Sequence, residues 1–346
     1  MVTFKDKSRK QETMPATDER LAGRRRLDAL YEPIREELSR FEVLLREELQ
    51  SRYPSVDQLA KHAFRLGGKR LRPALLLLTA KAIGEASREH LVLATVVEMI
   101  HTATLVHDDV LDSADMRRHV ETTNARWGNQ ASVLLGDFLF THAFYLASTL
   151  SSVSACRIIG KATNIVCEGE LRQVASCGNF ELTEEDYFGI IESKTAELCA
   201  CCCQLGAHYA GAKPELEQAL TRFGRAIGMA FQIADDLLDL IGDEAATGKS
   251  LGTDLEQHKL TLPLIRLLSG LEASDRERLI RLLQDNPGRR RETLEAWLPH
   301  SDALQYARQK ATQYAEAARR ELSELPPSPA KTVLDQLAEF VVDRRQ

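Results

Sequence analysis

The chain has no long apolar run, no linker and no excess of positive charge. Its longest strongly apolar stretch, Pro73 to Ala80, falls far short of the ~20 residues that a helical membrane span needs, so no transmembrane segment is expected. Residues 1–26 are polar and mixed in charge, unlike a secretory signal, and are expected to form a loose, flexible tail. Asp6, Glu12, Asp18 and Glu19 weigh against a mitochondrial transit peptide, which leaves the cytoplasm as the expected compartment. The 19 glycines and 11 prolines never gather with serine into a divider, so residues 27–346 are expected to form one large domain. A net charge of −6 argues against broad nucleic-acid binding. What is present is 44% hydrophobic and 28% charged residues, the composition of a globular chain with ample core.

Seven cysteines are an odd number, and four crowd into Cys199, Cys201, Cys202 and Cys203. Cys199 and Cys202 have a C-x-x-C spacing that invites a zinc or redox reading. No second pair at ligand spacing accompanies them, and the flanking sequence reads as continuous helix. Small, reduced cysteines packed between helices are therefore expected, as suits a reducing cytoplasm.

Strand signals are missing too. No convincing alternation or hairpin pattern occurs, whereas helical periodicity runs nearly throughout. Leu27, Leu30, Tyr31, Ile34, Leu38, Phe41, Leu45 and Leu49 recur at steps of three and four and so form one helix face. Helices are expected next at about 56–66, 73–84, 88–112, 129–150 and 153–176. Thr183, with Glu184, Glu185 and Asp186 behind it, is the expected N-cap of a helix ending near Gly211. Pro214 opens another that runs to about Ile241. Shorter helices fill 258–322, and Pro326-Pro327 precede a last one at about 329–343. The expected fold class is all-α.

Against this background one pattern occurs twice. Asp108-Asp109-Val110-Leu111-Asp112 and Asp235-Asp236-Leu237-Leu238-Asp239 each end an apolar, helix-periodic stretch. Positions one and five share a helix face, so Asp108 points with Asp112, and Asp235 with Asp239. Like charges so placed cost a helix roughly 0.2–0.5 kcal/mol per pair. Partial burial costs more, unless the carboxylates protonate or a cation joins them. A solvated acidic helix end explains one such cluster; a duplicated one points to a cation. Oxygen ligands with few carboxylates per ion suit Mg²⁺, which keeps several waters and commonly bridges to phosphates.

Basic segments say what such a cation would serve. Gly67-Gly68-Lys69-Arg70-Leu71-Arg72-Pro73 joins a flexible glycine pair to three cations and a helix-opening proline. Backbone N–H groups at a helix start, with Lys and Arg heads, can hold a diphosphate. Alone, that segment is a weak signal and reads by default as a solvated basic turn. Arg117 and Arg118 follow the first aspartate cluster, Lys249 and Lys259 follow the second, and Lys194 sits mid-helix beside Thr195. Acidic clusters trailed by cations are the charge pattern of a magnesium–diphosphate site.

These motifs together carry a resemblance. GGKRLRP at 67–73, HTATLVHDDVLDSADMRR at 101–118, GNQASVLLGDFLF at 128–140, KTAEL at 194–198 and FQIADDLLDLIGDEAATGKSLGTDLEQHK at 231–259 resemble the trans-type polyprenyl diphosphate synthases of the long-chain, octaprenyl- or solanesyl-like branch. The likeness extends from residue 27 to the C-terminus. It implies a single large helical bundle of the isoprenoid synthase type around a deep central cavity, in a homodimer or paired with a related subunit. It implies isopentenyl diphosphate and an allylic diphosphate as substrates, E double bonds in the product, and three Mg²⁺ ions. Asp108 and Asp112 would ligate two ions and Asp235 a third, with Asp239 ordering its water shell and Asp109 secondary. Arg117, Lys194, Thr195, Gln232, Lys249 and Lys259 would surround the allylic diphosphate, with Lys194, Lys249 and Arg117 adding positive charge as it departs. Lys69, Arg72, His101 and Arg118 would hold isopentenyl diphosphate. His101 on its own would read as a core or capping histidine. His119 stands where relatives usually have glycine, so no phosphate contact is assigned to 119–124.

Chain length is expected to be set upstream of the first cluster. Ala103 and Thr104 lie five and four residues before Asp108, roughly 6–7.5 Å along a helix axis. Short-chain relatives commonly carry aromatics there. Two small residues let a growing chain pass, or serve helix packing alone; Met99, Ile100 or Phe138 could close the path further down. The expected product is around octaprenyl or nonaprenyl, the length of quinone tails, with loose membrane association through the lipid product. Other readings are a geranylgeranyl- or farnesyl-length synthase, a terpene cyclase, and an inactive partner subunit. A cyclase usually lacks the second aspartate motif and the GGKRLRP–His101 clamp, and inactive subunits typically lose aspartates that this chain keeps.

Overall fold

The computed structural model describes residues 27–65, 68–117, 120–241, 252–285 and 289–343. The expected tail at 1–26 lies outside them, as do Arg118, His119 and Lys249. Helix dominates the described residues, which fall into two compact units. The first holds the described residues up to Ile159 with Cys202–Glu217 and Leu325–Leu334. The second holds Gly160–Cys201, the described part of Gln218–Glu324 and Asp335 onward.

In the first unit, helices α1 (Arg35–Glu48), α2 (Pro54–Arg65) and α3 (Leu71–Ile83) lead to α4 (Arg88–Leu111), and α5 (Thr123–Trp127) leads to α6 (Asn129–Ser148). Leu75, Leu76, Leu77 and Leu78 on α3 are all fully buried, so this helix is enclosed on every side. Ser87 opens α4 with a capping box: its backbone N–H donates to His90 Nδ1 at 2.9 Å. Antiparallel α6 packs along α4, and a Cβ on Gly136 would fall onto the imidazole of His107. That missing Cβ lets α6 lie against the end of α4 that bears the first aspartates. Both α4 and α6 are long and apolar enough to cross a membrane by length and composition; α4 is mostly buried, as a core helix is.

The second unit takes most of α7 (Ser154–Ser176), then α8 (Glu184–Ile191), the start of α9 (Glu197–Tyr209) and most of α10 (Pro214–Ile241). Short helices follow: α11 (Thr253–Glu256), α12 (Leu262–Ser269), α13 (Ala273–Asp285), α14 (Arg290–Trp297) and α15 (Ala303–Glu321). The last, α16 (Pro329–Phe340), begins in the first unit and ends in the second. Ile233, Leu237, Leu262, Leu279 and Ala307 share this unit's apolar core. Cys199, Cys201, Cys202 and Cys203 are all buried within α9.

Three expectations are corrected. The periodic stretch from Leu27 is not one helix: residues 27–30 are helical, but a turn at Tyr31 and a 3-10 segment at Glu32–Ile34 separate them from α1, because Pro33 cannot donate a helical hydrogen bond. The absence of strands does not hold either. Met116–Arg117 (β1) and Val120–Glu121 (β2) pair antiparallel, Met116 opposite Glu121 and Arg117 opposite Val120. Two residues per strand are too few to write an alternating pattern. The helix expected from Thr183 to Gly211 is interrupted at Glu192–Ala196 by a π turn, which separates α8 from α9. Its N-cap is as expected, with Thr183 Oγ1 accepting from the Asp186 N–H at 3.1 Å. Its end at Tyr209 is followed by Gly211 at φ 75°, where glycine is the residue without a steric penalty.

Candidate functional site

The first unit carries the basic turn and the first aspartate cluster. Arg70 is the N-cap of α3 and accepts its first helical bond, from Ala74 N–H to the Arg70 carbonyl at 3.0 Å. Its neighbour Lys69 is held through its backbone carbonyl, which accepts from Tyr31 Oη at 3.0 Å. Arg72, in the first turn of α3, places Nη1 3.1 Å from His101 Nε2. Its Nε is buried and has no hydrogen-bond partner among the described residues. A buried guanidinium edge left open is suited to an anion. The predicted Arg72 and His101 are thus brought together.

At the end of α4 the aspartates divide by exposure. Asp108 and Asp112 are half-buried, whereas Asp109 is fully buried and accepts from Arg117 Nε at 2.7 Å. Arg117 lies on β1, where it pairs with Val120, and the chain between it and α4 is pinned by the Ala114 N–H donating to the Asp109 carbonyl at 2.9 Å. Burial raises the Asp109 carboxyl above its ordinary value, and the Arg117 charge opposes that rise. Asp109 Oδ2 remains buried without a partner among the described residues. One turn below, Ala103 is fully buried and Thr104 half-buried, its hydroxyl donating to the His101 carbonyl at 2.8 Å.

The second unit repeats the division. Asp235 and Asp239 are half-buried, and the second aspartate of the pattern, Asp236, is buried. Tyr187 Oη donates to Asp236 Oδ2 and Gln232 Nε2 to Asp236 Oδ1, each at 2.7 Å. Gln232 Oε1 in turn accepts from Thr195 Oγ1 at 2.8 Å. Burial pushes the Asp236 carboxyl well above its ordinary range, the Asp254 charge adds to this, and the bonds from Tyr187 and Gln232 oppose it. Asp239 is fixed differently: it accepts from Thr253 Oγ1 at 2.8 Å and from the Asp254 N–H at 3.2 Å. Lys259 lines a small pocket with Asp236, Asp239 and Asp254.

Lys194 and Thr195 belong to the π turn, and glycines on two neighbouring helices permit close approach to it. A Cβ on Gly169 of α7 would meet Ser193 and the Lys194 backbone; one on Gly228 of α10 would fall onto Ala196 Cα. π turns add a residue to one turn and so re-aim the side chains around them. Here Lys194 Nζ donates to Glu170 Oε2 and Gln173 Oε1, each at 2.8 Å. Glu170, Gln173 and Tyr187 were not foreseen. The three-residue spacing of Glu170 and Gln173 on one helix face was a usable signal, while Tyr187 had none beyond its polar tip.

Among the described residues, no group of three or more His, Cys, Asp or Glu gathers tightly enough to hold a metal unaided. Each cluster instead offers a carboxylate pair, Asp108 with Asp112 and Asp235 with Asp239. That donor set fits Mg²⁺ held by one or two carboxylates, waters and substrate phosphates.

The polyprenyl synthetase family profile matches residues 53–298. The chain is 37% identical to the octaprenyl diphosphate synthase of Escherichia coli over 321 residues, 92% of this chain and 99% of that one. A decaprenyl diphosphate synthase from Rhodobacter capsulatus superposes with a TM-score of 0.87 at 36% identity, covering 92% of this chain and 99% of its own. A polyprenyl synthase from Caulobacter crescentus, complexed with calcium and isoprenyl diphosphate, gives a TM-score of 0.86 at 35% identity, with 92% and 98% covered. With the family profile over most of its length, two aspartate-rich helix ends and an all-α fold, the chain belongs to the polyprenyl synthetase family of trans-polyprenyl diphosphate synthases.

Proposed function

We propose that this prenyltransferase adds isopentenyl diphosphate units to an allylic diphosphate and carries the product to octaprenyl or nonaprenyl length, as a quinone side-chain precursor. The observation that carries the reading is the matched division in both clusters. The second aspartate of each is buried and anchored, by Arg117 or by Tyr187 and Gln232, so the outer pair is held on one face. The long-chain assignment is supported by the octaprenyl and decaprenyl relatives and by small residues at Ala103 and Thr104.

The family uses Mg²⁺. Here Asp108 and Asp112 would hold two ions and Asp235 a third, with Asp239 behind it; the calcium and isoprenyl diphosphate of the Caulobacter crescentus protein support a cation–diphosphate pairing. When bound, Mg²⁺ acts as a Lewis acid toward the departing diphosphate. The chain's own residues do the rest. Lys194, oriented by Glu170 and Gln173, adds fixed positive charge where negative charge develops, and Arg117, Lys249 and Lys259 share that role. Thr195 and Gln232 orient the same group. Lys69, Arg72, His101 and Arg118 clamp isopentenyl diphosphate, so that its alkene lies near the allylic carbon. The allylic C–O bond breaks, a C–C bond forms, and a proton leaves to the released diphosphate, so no side-chain base is needed.

A homodimer is part of this proposal, supported by Val133, Leu134 and Tyr145, which α6 leaves exposed. So are a cytoplasmic location and loose membrane contact through the lipid product. The test is diphosphate release by the purified chain from farnesyl and isopentenyl diphosphates. Release that stops with a chelator and returns with Mg²⁺ supports the reading; release indifferent to Mg²⁺ opposes it.

A further inference from the structure

Arg70 is the odd residue of the basic turn. It is a non-glycine residue at φ 49°, in the left-handed region that costs an L side chain energy. It also points away from solvent: the side chain is 18% exposed, with Nη1 2.5 Å from Glu98 Oε1 and Nε 2.7 Å from Glu42 Oε1. Glu98, only 5% exposed, lies on α4 three residues before His101, so the two share a helix face. Arg70 and Arg72 therefore meet α4 at successive positions, Arg70 at Glu98 and Arg72 at His101. Tyr31 fixes the Lys69 carbonyl, which accepts from its hydroxyl at 3.0 Å.

We propose that Arg70 is a positioning residue for the isopentenyl diphosphate clamp: its bridge to Glu42 and Glu98 holds the turn left-handed and thereby aims Lys69 and Arg72. Arg70 itself touches no substrate. Without the tether the turn is free to leave the strained conformation, and Arg72 loses its register on His101. The carboxylates explain why arginine rather than lysine stands here, since one guanidinium fork reaches two acceptors on two helices. The inference rests on the clamp reading above and extends it from the contact residues to what orders them.

Steady-state kinetics with each substrate varied separately tests it. Arg70→Met should raise the KM for isopentenyl diphosphate by about tenfold, with the allylic KM and kcat within about twofold of the parent. Arg70→Lys should recover part of that loss. A lone Glu98 carboxylate left buried could unfold the single variant, so Arg70→Met/Glu98→Gln, which removes both charges, carries the same expectation; melting curves report the fold. Arg72→Ala is the control. If Arg72→Ala raises that KM and the folded Arg70 variants do not, the positioning role is overturned while the clamp stands. Equal shifts in both KM values, or a loss confined to kcat and melting temperature, also overturn it, because they mark a general structural role. If Arg72→Ala leaves the KM unchanged, the clamp reading fails and this inference with it.

Discussion

The Tyr187 hydroxyl donates to Asp236 Oδ2 at 2.7 Å, and both side chains are buried. This bond joins α8 to the second aspartate cluster and ends a chain that runs Thr195, Gln232, Asp236, Tyr187. Burial and the Asp236 charge together raise the Tyr187 hydroxyl well above its ordinary pKa, so it remains a donor at every working pH.

Tyr187→Phe removes that donor from a buried carboxylate. A loss of roughly 1–3 kcal/mol in unfolding free energy is expected. Gln232 and Thr195 should lose orientation too, lowering kcat/KM for the allylic substrate about tenfold. Urea unfolding alongside kinetics checks both; a variant equal to the parent in each would show that the bond positions nothing.

Asp108→Ala and Asp235→Ala should each abolish turnover with the fold intact. Relief of like-charge repulsion is worth roughly 0.2–0.5 kcal/mol per pair, so metal-free melting temperatures should hold or rise slightly. Near-normal turnover in either variant at saturating substrate would remove that aspartate from the metal-binding role.

His90 predicts an acid-sensitive fold. Its Nδ1 accepts from the Ser87 N–H at 2.9 Å and its Nε2 faces the Gly206 carbonyl at 3.2 Å, the partners of a neutral ring. Burial lowers its pKa below 6.5. The unfolded chain therefore binds a proton that the folded chain refuses, so stability is complete above pH 6.5 and declines as pH falls toward the folded value. The slope approaches about 1.4 kcal/mol per pH unit for one group. His62, also buried and lowered by burial, adds to it. Urea titrations between neutral and mildly acid pH should give a flatter profile for His90→Gln; an unchanged slope would discount His90.

Ala103→Tyr addresses product length. Ala103 is fully buried on α4, one turn before the first aspartates. A ring there should shorten the product sharply, to about farnesyl or geranylgeranyl length, because close-packed interiors do not yield readily to added volume. If Ala103 only packs helix against helix, the melting temperature falls and the product keeps its length.

Much of this was legible beforehand because helices write their burial into the sequence. The Thr183 cap and the Pro214 start follow from helix-end chemistry, and the apolar stripe of α10 from 3.6-residue periodicity. The paired faces of Asp108 with Asp112 and Asp235 with Asp239 follow from the same spacing. What was not legible depends on long-range contacts. The π turn at Glu192–Ala196 meets Gly169 and Gly228 of other helices at distances that leave no room for a Cβ, and no local pattern announces that meeting. The β1–β2 pair is too short to signal itself, yet Arg117 on β1 meets Asp109. Arg70 read as one more solvated cation until Glu42 and Glu98 stood beside it.

The most direct test is to incubate the purified chain alone with farnesyl diphosphate, excess isopentenyl diphosphate and Mg²⁺, and to size the dephosphorylated products by chromatography. The account predicts a ladder ending near octaprenyl or nonaprenyl. Products that stop at geranylgeranyl or shorter, or no elongation without a second subunit, would contradict it.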